Sequence, residues 1–412
     1  MKEEILRNVA NPGQLEKLYR ADKSAFKREF NALFPDLRDN QLAAFWNARL
    51  NFAREEISWG TGKDLVFVII ASLLAGVIAK LPIILNIDEE FFYTRNIGFI
   101  VFPMLTAYFA WKNSLSVKKI IFIVVATLAG LIFINSLPDV KNSDTVILSS
   151  IHLAIFLWSI LGFAFVDETR NNVEKRLSYL KFNGDLVVMT GLILIAGGIV
   201  SGATIGLFSL IGMNIEKFYF NYIIVIGLPA APILGTYLTQ NNPQLVGKVS
   251  PVIAKIFSPI VLVMLVAYLI AIVYSGKDPY NNREFLLIFN ALLIGVMALI
   301  FFSVAESTKT GKNRAEIWIL ALLSLVTVIV NGIALSAILF RISEWGMTPN
   351  RAAILGGNVL ILINLLIVTA QLFRAVATKS DLTGVGKIIS FYLPVYCAWA
   401  IIVTFLFPFI FN

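Results

Sequence analysis

Two ionisable side chains stand inside long apolar stretches of this 412-residue chain, where they could support chemistry. Lys80 and His152 are each flanked by apolar residues. An ionisable group in such a stretch is a functional candidate by default if the stretch crosses a membrane. Lys80 can instead extend its ammonium towards the headgroups, and His152 can be neutral and bonded to a backbone carbonyl. Both a functional and a structural role therefore stay open.

The later apolar stretches contain amides in place of charges. Their asparagines are Asn290, Asn331, Asn358 and Asn364. An unpaired amide in hydrocarbon is costly, so we expect these side chains to bond one another across helices. The alternative is that they line a wet cavity that opens outward. No Asp or Glu stands in the middle of any predicted span, which counts against a proton- or sodium-coupled carrier.

Other polar groups are too few for most kinds of site. The chain has one cysteine, Cys397, and one histidine, so a disulfide, a cysteine cluster and a two-histidine metal site are excluded. No Gly-rich phosphate loop is present, and no catalytic His/Asp/Glu pattern is visible. We therefore expect no metal, no cofactor and no enzyme. The net charge of +8, without a basic stripe, favours anionic lipid headgroups over nucleic acid as partners.

Glycine and proline patterns mark two neighbouring apolar stretches. Gly198, Gly202 and Gly206 recur every four residues, which lets two helices approach closely in lipid. This face either packs inside one subunit or binds another helix. Pro229 and Pro232 follow in the next stretch, where they predict a break in the helix. A broken helix can expose its backbone to a transported solute, or it can simply be a kink.

A tight turn between two apolar stretches has the most specific pattern. Its candidate residues are Arg341, Glu344, Trp345, Gly346, Thr348, Pro349, Asn350 and Arg351. Thr348 can cap the next helix with Pro349 in its first position, and Gly346 permits the reversal. We expect Glu344 to pair with one of the two arginines and the tryptophan to lie at the membrane interface.

The eleven residues from Arg341 to Arg351 resemble the signature turn of a bacterial family of polytopic membrane proteins of unknown function. The turn at Gly276-Lys277-Asp278-Pro279 is similar in style. The likeness covers roughly residues 240–412, and only the first turn is specific. It implies a polytopic architecture, and since that family has no established activity it implies none for this chain.

The elements that position these residues are apolar runs of bilayer-spanning length. Residues of the set AVILMFWYC make up 58% of the chain, and charged residues only 15%. We predict an all-α, polytopic bundle of about eleven transmembrane helices after a small soluble head. The predicted spans are 64–87, 96–111, 117–137, 145–166, 185–212, 218–239, 256–275, 285–305, 316–340, 351–373 and 388–411.

Residues 1–63 form the predicted head, and 64–412 the membrane domain. The head carries 11 Lys and Arg and 9 Asp and Glu, and its apolar spacing predicts one amphipathic helix over 15–33 and another over 35–58. The loops on the side of the head hold fifteen lysines and arginines, and the opposite loops hold seven. The positive-inside rule therefore predicts a cytoplasmic head and an external C-terminus in a bacterial inner membrane.

Three classes of function fit these features. The first is a non-enzymatic inner-membrane subunit or scaffold that binds another membrane or envelope protein. The second is a carrier or channel for a small solute, with the broken sixth span and the asparagines as its path. The third, a membrane enzyme, has the weakest basis because catalytic residues are missing at either interface. We favour the subunit.

Overall fold

The computed structural model describes residues 2–37, 40–51, 60–140, 143–167, 172–210, 213–247, 249–275, 283–310 and 314–411. Every regular element in these ranges is a helix. The chain divides into two compact units, Met1–Ser58 and Trp59–Asn412. The turn at Gly276–Pro279 lies outside the described residues.

The first unit is a small helical domain with an aromatic core. Its helices are α1 (Lys2–Arg7), α2 (Pro12–Ala21), α3 (Lys23–Leu33) and α4 (Gln41–Asn51), with a 3₁₀ turn at Phe34–Leu37. Phe26, Phe30 and Trp46 are buried at its centre, and Tyr19 packs against two of these rings. Aromatic side chains bury a large apolar area each, which lets so short a segment form its own core.

One predicted helix of this unit is two helices. The continuous helix over 15–33 is wrong, because the backbone is extended at Asp22, between α2 and α3. The Asp22 carboxylate accepts a hydrogen bond from the Ala25 N–H at 2.9 Å, so it caps α3. Aspartate competes well for such a capping position, and the apolar spacing continues across it unchanged.

The second unit contains all the long helices. They and the short helices between them are α5 (Gly62–Leu85), α6 (Glu89–Lys112), α7 (Val117–Ser136), α8 (Asp144–Val166), α9 (Val173–Leu210), α10 (Glu216–Phe218), α11 (Val225–Asn241), α12 (Pro243–Gly247), α13 (Val249–Ser275), α14 (Arg283–Thr310), α15 (Arg314–Trp345), α16 (Pro349–Thr378), α17 (Thr383–Phe405) and α18 (Phe407–Ile410). Nine of the predicted spans coincide with one long helix each. The sixth coincides with α10, the π-helix Tyr219–Ile224 and α11, and the last with α17 and α18. The all-α, polytopic fold is confirmed.

Nine candidate spans among the described residues are long and apolar enough to cross a membrane. The other two predicted spans coincide with α6 and α13. In α6 the polar residues Arg95 and Asn96 lower the mean hydropathy. In α13 the structure describes the side chains of an apolar segment only over Ala254–Ile270, which is shorter than a span. The total of eleven spans therefore stays a prediction for these two helices.

Contacts at the helix ends show that α7 and α8 run in opposite directions and that α13 and α15 begin at the same end of the bundle. Lys119 at the start of α7 forms an ion pair of 2.9 Å with Asp167, which follows the end of α8. Lys255 near the start of α13 lies 2.7 Å from Glu316 near the start of α15, two helices later. Such an arrangement is what a chain that crosses a bilayer repeatedly must have.

Among its described residues, the second unit has two large apolar cores and a smaller one around Leu148, Ala353, Val403 and Phe407. The first is formed by α5 to α9 and α11, and the second by α13 to α17. The helices α8 and α9 connect them. The Ser149 hydroxyl on α8 donates to the Thr404 carbonyl of α17 at 2.9 Å, and Lys181 on α9 forms an ion pair with Glu306 on α14.

Two long helices start earlier than the hydropathy predicts. The second predicted span starts at 96, but α6 begins at Glu89, and the fifth starts at 185, but α9 begins at Val173. Arg95 and Lys181, which were assigned to loops, are therefore helical. A helix does not have to end where its apolar run ends, because its hydrogen bonds are internal and polar residues continue it readily.

Candidate functional site

The glycine face of α9 is not packed inside the subunit. An added Cβ at Gly198, Gly202 or Gly206 would meet no other described atom within 4 Å. Only 11% of the apolar window of this helix is buried, against 50% in α15. No described residue packs against the three glycines. The alternative that this face packs inside one subunit is therefore wrong for the part of the chain that the structure describes. The C-terminal half of α9 offers a surface of small residues to its surroundings.

The sixth span does not break at its prolines, so the predicted break is wrong. Pro229 and Pro232 lie inside α11, which continues to Asn241. The distortion lies before them, in a π-helix at Tyr219–Ile224, where the Val225 N–H bonds the Phe220 carbonyl. Prolines are tolerated in membrane helices because local π adjustments and neighbouring helices take up the freed backbone groups.

Lys80 lies beside this π-helix. Its Nζ is 3.4 Å from the centroid of the Tyr222 ring, a cation–π contact that joins α5 to the π-helix. Lys80 is half-buried, and α5 continues past it to Leu85. No described carboxylate pairs with it. The contact gives the ammonium a partner within the bundle, at a place where hydrocarbon offers none.

His152 makes a local bond within its own helix. Its Nδ1 lies 2.9 Å from the Leu148 carbonyl oxygen, one turn earlier on α8. Because a carbonyl can only accept, Nδ1 carries the proton in this bond. This geometry fits a structural histidine.

The asparagines are brought together in part. Asn331 on α15 donates to the backbone carbonyl of Asn358 on α16 at 3.2 Å. Asn364 donates to the Tyr396 hydroxyl on α17 at 2.9 Å, away from the other asparagines. Asn290 is half-buried on α14 and takes no part in these bonds. Asn331, Asn358 and Asn364 are buried, so they do not line an open cavity.

The turn between α15 and α16 has the predicted backbone. Gly346 adopts a φ of +75°, in the left-handed region that suits glycine. The Thr348 hydroxyl accepts the Arg351 N–H at 3.3 Å, with Pro349 in the first helical position and Asn350 after it. The capping pattern that the sequence indicated is therefore the one that forms.

The charges of this turn are arranged differently from the prediction. Glu344 is exposed, and it forms no described ion pair with either Arg341 or Arg351, so that part of the prediction is wrong. Arg351 instead donates to the carbonyls of Trp345 and Gly346, at 2.8 and 2.6 Å. The carbonyls at the end of α15 have no partner in the helix, and they bind the cation in place of the carboxylate. Both guanidinium groups also lie over the tryptophan ring.

Arg95 is a buried cation that the hydropathy analysis placed in a loop. It is 4% exposed, and its guanidinium donates to the carbonyls of Leu137 and Pro138 at 2.8 and 3.0 Å, and more weakly to Ile134. These carbonyls end α7, where the helix dipole is negative. Beside it, Asn96 and Asn135 exchange hydrogen bonds of 2.9 and 2.8 Å. Arg95 therefore caps α7.

Two carboxylates lie farther inside the bundle than the predicted spans implied. Glu306 is buried on α14 in an ion pair with Lys181 of α9, and Asp185 is half-buried one turn after that lysine. Both were missed because they stand next to the ends of predicted spans. The i, i+4 spacing of Lys181 and Asp185 on α9 could have indicated a shared polar face.

Comparisons with known proteins add no relative. No family model matches the chain, and neither a curated protein nor a solved structure matches it. The resemblance of the turn at 341–351 therefore stays an expectation.

Proposed function

We propose that this protein is a non-enzymatic, multi-pass subunit of a bacterial inner-membrane assembly. It binds a transmembrane helix of another membrane protein on the C-terminal half of α9. The observation that carries the proposal is the open glycine face at Gly198, Gly202 and Gly206. No cofactor, metal or nucleic acid has a part in it.

Helices in lipid associate mainly where small residues let their backbones pack closely. Because lipid tails are as apolar as leucine, burying apolar side chains drives little association there. Close backbone contact across small residues does drive it. The face has three small residues in register along about 12 Å of helix. Exposed Ile195 and Ile199 flank it, at 64% and 68% of their full exposure, and can pack around a partner helix.

The head supplies a second contact in this proposal. Phe45 on α4 is 61% exposed, although the rest of the aromatic side chains around it form a buried core. A large apolar side chain left on a soluble surface is typical of an interaction site when polar residues surround it. We propose that the head lies in the cytoplasm, where basic loops also contact anionic lipids.

The test of this function is co-purification from native membranes in mild detergent. Gly202→Leu fills the face, so recovery of the partner should fall roughly tenfold, since about 1.4 kcal/mol of helix packing is tenfold in binding. Gly332→Leu on α15 is the matched control, because its added Cβ also meets no described atom. Equal recovery from both variants would count against the α9 surface.

The proposed orientation has its own test. A cysteine introduced at Asn350, in a chain whose Cys397 is replaced by serine, should react with a membrane-impermeant reagent in intact cells. One introduced at Asn172 should be spared. The reverse pattern would invert the proposed sides.

A carrier of small solutes is the second candidate, and it is favoured by the π-helix at Tyr219–Ile224 with Lys80 against Tyr222. Helical irregularities next to a cation are typical of solute sites in transporters. If this reading is correct, Lys80→Gln should abolish function at unchanged abundance and leave partner recovery intact. A subunit without transport should tolerate Lys80→Gln and lose function on deletion of residues 1–58.

A further inference from the structure

A polar seam runs through the second core, between α15, α16 and α17. On α15, Ser324, Thr327 and Asn331 follow one another at spacings of three and four residues, so they share one face along about 10 Å. On α16, Asn358 accepts the Asn331 bond through its backbone carbonyl, and Asn364, six residues later, bonds Tyr396 of α17. All five side chains are at most 3% exposed. The seam is enclosed within a bundle whose outside is apolar.

The hydrogen bonds of this seam fix the orientation of its amides. Asn331 must direct its Nδ2 to the Asn358 carbonyl, because a carbonyl only accepts. The Tyr396 hydroxyl donates to the Met297 sulfur at 3.4 Å, so it accepts from the Asn364 Nδ2. Turning the Asn331 amide over would lose its bond, and turning the Asn364 amide over would take the Tyr396 proton from the Met297 sulfur.

The same orientation leaves polar atoms without partners. Asn331 Oδ1 and Asn364 Oδ1 are buried acceptors, and Asn358 Nδ2 is a buried donor, and none of the three has a hydrogen-bond partner among the described residues. Trp399 Nε1 on α17 is a fourth unpaired atom and the second buried donor. Unpaired groups of this kind carry their full desolvation penalty, and hydrocarbon cannot relieve it.

The unpaired tryptophan belongs to the same region of the bundle. Its indole packs so closely on Gly356 that an added Cβ there would overlap the ring. The indole nitrogen lies 3.8 Å from the position that a Cβ on Gly357 would occupy, next to Asn358 in the chain. The two unpaired donors, Asn358 Nδ2 and Trp399 Nε1, therefore belong to neighbouring parts of α16 and α17. The unpaired acceptor Asn331 Oδ1 belongs to the amide whose Nδ2 bonds the Asn358 carbonyl of α16.

We infer that this seam is a binding site for small, uncharged, hydroxylic molecules, with water as the smallest. The ligand must both donate and accept, because both kinds of group are unpaired. It must be uncharged, because the seam side chains named here carry no charge. A buried water typically makes three hydrogen bonds, and it can donate to an unpaired amide oxygen or accept from an unpaired N–H. The inference is independent of the proposed docking surface on α9.

The test is a high-resolution cryo-electron microscopy map of the full chain in lipid nanodiscs, recorded with and without ethylene glycol. We expect density within hydrogen-bond distance of Asn331 Oδ1 and of Asn364 Oδ1. Compact density in both maps assigns bound water, and elongated density with the diol assigns a site that also takes small alcohols. The pair Asn96 and Asn135, whose amides bond each other, is the control and should show no such density.

A substitution gives an independent readout. If Asn331 holds a bound molecule, Asn331→Leu should lower the melting temperature of the protein in detergent. The same substitution should remove any density at Asn358 or Asn364 that comes from a molecule also bonded to Asn331. A map without density at the unpaired atoms, in which the control pair is well resolved, would overturn the inference. A melting temperature raised by Asn331→Leu would do the same, since it would mean that the amide had been unsatisfied.

Discussion

Replacement of Arg95 by methionine should destabilise the membrane unit strongly. The guanidinium makes two short bonds, of 2.8 and 3.0 Å, to carbonyls that end α7, and a longer one of 3.3 Å. A hydrogen bond from a charged donor contributes about 1.5–3 kcal/mol, so two give roughly 3–6 kcal/mol. Methionine keeps the packing of the stem and recovers part of this. We expect a net loss of about 3 kcal/mol in the free energy of unfolding.

The assay is reversible unfolding in mixed micelles, followed by tryptophan fluorescence. Arg95→Lys should lose about half as much, because one ammonium can reach fewer of the three carbonyls. Lys118→Met, at an exposed position on α7, is the control and should change stability by less than about 0.5 kcal/mol. A loss below about 1 kcal/mol for Arg95→Met would refute the capping role.

Three further predictions concern other charged groups. Arg351→Gln should lower the free energy of unfolding by about 1.5–3 kcal/mol in the same assay, because the arginine donates to the turn carbonyls. Glu344→Gln should lower it by less than about 0.5 kcal/mol, because the carboxylate is exposed and bonds no described residue. Lys181→Met should cost at least about 1 kcal/mol more than Glu306→Gln, because the buried partner is the carboxylate; equal losses would contradict this. In the head, hydrogen bonds and charges of Arg20 and Arg49 lower the pKa of Glu16. The stability that this carboxylate gives to the folded head is therefore present above its unfolded pKa of about 4.3, and it is lost as the pH falls through the lower, folded pKa. Protease resistance of the head in the full chain should therefore fall at acidic pH, and a profile unchanged by Glu16→Gln would refute the link.

Hydropathy located the long helices because each must present an apolar surface over a bilayer's thickness. It did not locate their ends. Polar segments extend α6 and α9 beyond their apolar runs, and hydropathy cannot indicate whether such a polar segment is helical. The consequence is chemical as well as geometric. Arg95 and Glu306 lie outside the predicted spans, although the structure places them against other helices, and Asp185, at the first position of a span, is half-buried.

The candidate site was predictable where backbone rules decide it. Gly346, Thr348 and Pro349 have conformational roles that follow from residue type, and the turn forms as expected. Side-chain partners were less predictable, because a helix end offers carbonyls as well as a neighbouring carboxylate to Arg351. The open glycine face could not be read from spacing alone, since the same pattern serves contacts within and between chains.

The docking of a partner helix on α9 is tested most directly by photo-crosslinking in living cells. A photoreactive amino acid placed at Ile195, one turn before Gly198 on the same face, should yield a covalent adduct with another membrane protein. The matched control is Ile329, which is 49% exposed and lies one turn before Gly332 on α15. We expect a discrete adduct at Ile195 and none at Ile329. Lipid adducts alone at both positions, or an adduct of two copies of this chain, would contradict it.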